Sequence, residues 1–301
     1  MKKILTMMII ALGIMAMTNS NAVSAKTKAI YKNGIVKITG SGEFSSRKYK
    51  KSKKVKKVIV GKNVTKIGNE AFTGCKNLKK ISFNKKLKAI GEKAFENTAL
   101  EKVDLPVSVK RIGDGAFLCE SLKEIKMPGK IHWSYSAIEN CIFFYTVDKV
   151  VFKTSVDYRT MLGVRAREYV VSKKDKKYVS IDGAIYRKSD YALMIMPRVK
   201  EFTISDQCQT LDLYNIYNFR YIGDYDYFET NYELEKLTIP ASVNKIIYTR
   251  SEKYDSYEQS VGFYEVFVTL EVEVLNDNLD ESSNKSLDDW CDDFKVKRII
   301  K

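Results

Sequence analysis

The chain has 301 residues, 45% of them hydrophobic and 30% charged, which is ample apolar material for a core and excludes disorder of the whole. With 52 Lys+Arg against 37 Asp+Glu it is strongly basic. A single histidine, His132, excludes HExxH zinc sites, multi-histidine metal centres and acid/base relays built on imidazole pairs.

Residues 1–25 open with Lys2 and Lys3, continue in a mostly apolar run from Ile4 to Met17, and end in Val23-Ser24-Ala25. A basic start, a short apolar stretch and small residues at the end predict a secretory signal peptide cleaved after Ala25. The apolar run has 14 residues, short of the roughly 20 that span a bilayer as a helix. No membrane span is therefore expected after cleavage, and a secreted, extracellular location is.

Three segments then align almost without gaps: VTKIGNEAFTGCKNLKKISF from Val64, LKAIGEKAFENTALEKVDLP from Leu87 and VKRIGDGAFLCESLKEIKMP from Val109. Each carries an Ile-Gly pair (Ile67-Gly68, Ile90-Gly91, Ile112-Gly113) and an Ala-Phe pair (Ala71-Phe72, Ala94-Phe95, Ala116-Phe117). The closing hexamers put Ile81/Phe83, Val103/Leu105 and Ile125/Met127 on one side and Ser82, Asp104 and Lys126 on the other, the alternation of a short strand buried on one face. Strands one repeat apart are expected to stack in parallel. Pro106 and Pro128 end them because proline cannot donate to a ladder. The IGxxAF segment reads as the return leg, its glycine allowing a tight turn or a close backbone approach, and Phe72, Phe95 and Phe117 are expected to stack inside, with Ile138 continuing the column.

These residues resemble the BspA-type leucine-rich repeat family of secreted and surface proteins, whose pattern, roughly LxxIxLPxxVTxIGxxAFxxC, is matched between 55 and 128. The resemblance implies an α/β-type repeat solenoid of short parallel strands in right-handed coils of about 22–23 residues. Upstream, NGIVKITGSGEF (33–44) resembles the strand-turn motif that opens such arrays. Downstream, KKYVSIDGAIYRKSDYALMIMP (176–197) resembles the hairpin-bearing variant, with Lys188-Ser189-Asp190 as its turn, and LEKLTIPASVNKI (234–246) returns to the plain pattern. Between them, 130–170 and 206–232 keep only fragments such as VDKVVF, and SLDDWCDDFKVKRII (286–300) reads as a closing helix and strand. The expected organisation is a signal peptide (1–25), an N-terminal cap (26–54), regular repeats (55–130), irregular repeats with a hairpin insertion near 180–197 (131–265) and a closing segment (266–301).

Charge is unevenly spread: 28 Lys+Arg against 11 Asp+Glu over 26–150, and 22 against 26 over 151–301. Aligned hexamers put Lys57, Lys80, Lys102, Glu124 and Lys149 in one outward column, beside Ile59, Ser82, Asp104, Lys126 and Val151. Strands about 4.8 Å apart would make the lysines a ladder that repels itself and favours an anionic partner. Lys57, Lys80, Lys102, Asp104, Glu124, Lys126 and Lys149 are thus the candidate ligand-binding residues. The run SSRKYKKSKKVKK (45–57) reads as an exposed loop of the cap, and nucleic acid is not its expected partner in a secreted chain.

Ten of the 19 tyrosines lie between Tyr214 and Tyr264, either filling wide coils or offering a sugar- or protein-binding surface. Cys75, Cys119, Cys141, Cys208 and Cys291 are an odd, widely spaced set that reads as buried thiols placed by repeat position. No catalytic residue, metal site or cofactor is expected: no nucleophile motif accompanies His132, Gly40 and Gly42 are turn glycines without a GxGxxG continuation, and Asp288, Asp289, Asp292 and Asp293 read as the polar face of a helix. The family resemblance implies a monomeric adhesion or interaction module whose partner is a protein or an anionic glycan on a host or cell surface. A cell-envelope component without a specific ligand is the alternative.

Overall fold

Period-2 alternation decides which residues become strands. The structure, a computed structural model, describes residues 26–133, 146–213, 234–248, 271–293 and 297–300. The signal segment, Cys141 and Ile138 lie outside these residues, as do all of the clustered tyrosines except Tyr248. The hexamers form Lys57–Val60, Lys80–Ser82, Lys102–Asp104, Glu124–Met127 and Lys149–Phe152, with Ile35–Thr39 before them and Tyr169–Val170 after. They pair in parallel as two ladders, one from Ile35–Thr39 to Lys80–Ser82 and one from Lys102–Asp104 to Tyr169–Val170. Val103, Leu105, Ile125 and Met127 are buried as alternation requires, whereas Ile81 and Phe83 are only partly covered.

The return leg contains a second parallel strip. Ser41–Phe44, Asn63–Ile67, Ala89–Ile90, Arg111–Ile112 and His132–Trp133 pair in sequence, so each coil contributes two short strands and the coil is β in character. Among the described residues helix is confined to Tyr158–Leu162 and Glu281–Asp293. After the second strand of each regular repeat comes the repeat glycine, Gly68, Gly91 or Gly113, and its role is close approach. A Cβ on Gly91 would lie 2.5 Å from the Asn69 backbone nitrogen, and one on Gly113 2.4 Å from that of Glu92. The left-handed backbone falls two residues later, on Glu70 (φ 54°), Lys93 (φ 51°) and Gly115 (φ 58°). There the turns of successive coils are tied together: Glu70 N–H donates to Glu92 O, Phe72 N–H to Ala94 O and Phe95 N–H to Ala116 O, at 2.8–2.9 Å. These bonds satisfy backbone groups that the buried turn would otherwise orphan.

Inside the turns the aromatic column forms as the repeat spacing requires. Phe72 and Phe95 stack at 5.6 Å and 5°, Phe95 and Phe117 at 5.4 Å and 10°. The column also extends upstream, where Phe44 and Tyr49 both stack on Phe72 at 5.9 Å. Tyr49 and Val55 are buried where the following repeat has Phe72 and Leu78, so residues 45–57 are a coil of the solenoid and not a loop of a cap. Its lysines hid the pattern by occupying outward positions. The thiols close the account of this region: Cys75 donates to Tyr49 O at 2.9 Å and Cys119 to Phe95 O at 3.1 Å, each satisfying the carbonyl of a stacked aromatic. Cys208 and Cys291 are buried as well, and burial pushes the Cys75, Cys119 and Cys208 thiols up.

The array opens on an antiparallel hairpin. Lys28–Lys32 pairs with Ile35–Thr39 across Asn33-Gly34, whose φ values of 48° and 82° suit a tight two-residue turn. The downstream insertion is three antiparallel strands, Tyr178–Ile181, Ala184–Arg187 and Leu193–Ile195. Arg187 clasps Asp190 with two nitrogens at 2.6–3.1 Å at the turn read from sequence, and Asp182-Gly183 makes the other turn. Asp175, 2% exposed, anchors the insertion by accepting the N–H groups of Val156, Lys177 and Tyr178 at 2.8–3.0 Å. The last coils have their own core, built from Phe202, Leu237, Ile239, Val272, Leu287 and Trp290. Glu201–Thr203, Lys236–Ile239, Glu271–Val274 and Lys297–Ile300 stack in parallel over it. The closing helix begins at Glu281, five residues before the sequence reading, because Asp280 accepts the Ser283 N–H at 2.7 Å as its N-cap.

Candidate binding face

The hexamer strands present alternate side chains outward, so register alone decides which charges meet. Ile35, Lys57 and Lys80 are cross-strand partners in the first ladder, and Lys102, Glu124 and Lys149 in the second. The neighbouring column runs Lys37, Ile59, Ser82 and then Asp104, Lys126, Val151. All seven candidate residues therefore share one outward strip.

Their charges are not equally available. Glu124 bridges Lys102 at 3.2 Å and Lys126 at 3.4 Å, and the hydrogen bond from Lys102 holds its carboxyl below the usual carboxylate range against the cost of partial burial. Lys149 pairs with Glu168 at 2.6 Å, and Asp104 accepts from Lys153 at 2.7 Å. The expected self-repelling ladder is relieved within the second ladder by carboxylates that sequence alignment did not pair with it. Lys57 and Lys80 face each other in the first ladder, and among the described residues neither has an ion-pair partner. In the basic coil 45–57, Arg47 and Lys50 converge on Glu70 at 3.1 and 3.0 Å, and the Lys50 hydrogen bond draws that carboxyl down. Lys48, Lys51, Lys53, Lys54 and Lys56 stay exposed.

Sequence reasoning missed the contribution of the opening hairpin to this face. Its strands bring Lys32 and Lys37 beside the column together with Ile30 and Ile35, and the alternation in KAIYKNGIVKIT around Asn33-Gly34 was the available signal. Elsewhere, His132 is exposed on a two-residue strand beside Arg111. Gly40 adopts φ of 89° at a bend, whereas Gly42, at φ 85°, lies not in a turn but inside the Ser41–Phe44 strand, where its register with Asn63–Ile67 shifts. On the closing helix Leu287, Trp290 and Cys291 face inward, while Asp288 pairs with Arg298 at 2.5 Å and Asp289 with Lys285 at 2.9 Å. Tyr248 packs partly buried against the second core. No helix among the described residues is long and apolar enough to cross a membrane.

Among solved structures, a leucine-rich repeat protein from Eubacterium ventriosum is 20% identical over 73% of this chain and 65% of its own, with a TM-score of 0.41. The chain thus spans less than two thirds of that protein's length. A leucine-rich cell surface protein from Faecalibacterium prausnitzii is 18% identical over 73% of this chain and 70% of its own, at a TM-score of 0.35. The pneumococcal vaccine antigen PcpA is 13% identical over 92% and 97%, also at 0.35. No curated protein matches the chain. The model of the BspA type leucine-rich repeat region matches residues 42–158 in six copies, its first residue falling in the strand before the Tyr49 coil. Over residues 42–158, then, the chain is similar to the BspA type leucine-rich repeat region.

Proposed function

We propose that the chain is a secreted, non-enzymatic interaction module that binds an extracellular or host-surface macromolecule, a protein or an anionic glycan, through the outward face of its hexamer strands. The observation that carries this reading is the register of Lys57 on Lys80, two cations one strand spacing apart with no ion-pair partner among the described residues. The signal-like segment 1–25 and the surface association of this repeat family support the location. A structural envelope component without a ligand is favoured by a different observation, the internal pairing of Lys102, Lys126 and Lys149.

The two readings separate on immobilised heparin and an array of matrix proteins probed with residues 26–301 at low and physiological salt. Saturable binding that persists at physiological salt and falls in a Lys57→Ala/Lys80→Ala/Lys102→Ala variant is the expected result. Binding that vanishes with salt leaves only nonspecific charge and favours the envelope component. Strong retention that survives the triple substitution removes this face from consideration.

A further inference from the structure

The outward surface of the opening hairpin is built unlike the rest of the strip. Ile30 is 60% exposed and Ile35 38%, and with Ile59 they break up the lysines. In register, one row across the strands reads Lys32, Ile35, Lys57, Lys80 and the next reads Ile30, Lys37, Ile59, Ser82. Ile30, Ile35 and Ile59, with Lys32, Asn33 and Lys37, line a hollow of about 310 Å³. Lys32 and Lys37 line it, Lys57 is the cross-strand neighbour of Ile35 and Lys80 lies one strand further on, and none of the four has an ion-pair partner among the described residues. Apolar side chains left in water beside uncompensated cations mark a surface that gains from being covered by an anionic, partly apolar partner.

We propose that this face seats an acidic polypeptide segment, one apolar side chain filling the hollow and carboxylates on either side meeting the surrounding lysines. A second copy of the chain is disfavoured, because it would bring the same four lysines against these. A glycan has no apolar side chain to insert. The proposal rests on the reading of the strip as a binding face, and adds where on it the partner sits and what chemistry it carries.

The test is fluorescence anisotropy of a labelled synthetic peptide alternating aspartate with leucine, titrated with residues 26–301 at physiological salt, beside a peptide alternating aspartate with serine. The leucine peptide is expected to bind saturably. Replacing leucine by serine, or introducing Ile30→Ser with Ile35→Ser, weakens binding about tenfold, whereas Lys285→Ala on the closing helix leaves it unchanged. Both isoleucines are exposed, so the double variant retains its fold, which circular dichroism checks. Equal affinity for the two peptides, or indifference to Ile30 and Ile35, overturns the proposal. Heparin binding that depends on Lys57 and Lys80 without leucine-dependent peptide binding overturns it too, and leaves the general binding face standing. Loss of both discards the face altogether. Capture by phosphatidylserine vesicles that needs Ile30, with no peptide binding, also overturns it and assigns the surface to a membrane.

Discussion

The first coils and the last use the same scaffold and treat charge in opposite ways. At the outward register position of the hexamers, the first ladder carries Ile35, Lys57 and Lys80, while the last carries Glu201, Lys236, Glu271 and Lys297. The second arrangement alternates sign along the solenoid and is neutralised from within: Lys297 meets Glu271 at 3.1 Å, and Lys236 meets the buried Glu273 at 2.8 Å. Their interiors differ as well, with a column of stacked aromatic rings in the first coils and, in the last, a mostly aliphatic core around Phe202 and Trp290. Strand stacking thus tolerates either charge pattern, because an outward side chain adds little to the ladder beneath it, and surface pairs contribute only about 0–1 kcal/mol. The lysines left without an ion-pair partner among the described residues are not a requirement of the fold. That is why the first coils carry the functional reading.

The strongest way to break this comparison is to remove the middle ring of the column. Phe95→Ala is expected to cost roughly 3–5 kcal/mol in urea unfolding, because Phe95 is fully buried between Phe72 and Phe117. A loss under about 1 kcal/mol would show that the stack is not what holds the first coils together. Next in size is Gly91→Ala, at roughly 1–3 kcal/mol, since the new methyl would meet Asn69 Oδ1 at 2.4 Å and also the backbone of the preceding coil at 2.5–2.7 Å, which cannot move aside as a side chain can. The same unfolding curve checks it.

A gain is expected at Lys93, whose left-handed backbone costs a non-glycine residue roughly 1 kcal/mol. Lys93→Gly should raise stability by less than about 1 kcal/mol, the larger entropy of glycine in the unfolded chain offsetting part of the relief. The smallest effect on stability, under about 1 kcal/mol, belongs to Glu124→Gln, and its consequence is instead electrostatic. It frees Lys102 and Lys126 and should lengthen retention on heparin, making the second ladder behave like the first. Acid does the same to the native chain. Because Lys102 holds the Glu124 carboxyl below its ordinary range, the pairing is fully present above that range and is lost only as pH falls through the lowered value. Retention that does not change with Glu124→Gln would show that these lysines face away from the anion.

Much of the fold was legible in residue pattern. Two residue types with few alternatives, the buried phenylalanine and the close-approach glycine, recur with alternating hexamers in the three regular repeats, and the structure places each where the pattern requires. The coil at 45–57 was not legible, because Tyr49 and Val55 are its only apolar residues and lysine, serine and arginine fill the rest. The second strip was missed for a related reason: strands as short as Ala89–Ile90 and Arg111–Ile112 leave no alternation to read. Of the candidate face, the register was legible and the ion pairing was not. Glu168 reaches Lys149 from the next strand segment, and Lys153 reaches Asp104 from 49 residues along the chain.

What the sequence by itself determined is the repeat: which residues point inward, where strands stop, and which lysines share a column, all consequences of local stereochemistry repeated at a fixed period. What only the tertiary structure decided is which of those charges are left over. Pairing depends on the reach of side chains between strands and on carboxylates brought in by later coils, and such contacts carry no period. The hollow at Ile30, Ile35 and Ile59 belongs to the same class, since it exists only once a hairpin has folded onto the first strand of the array.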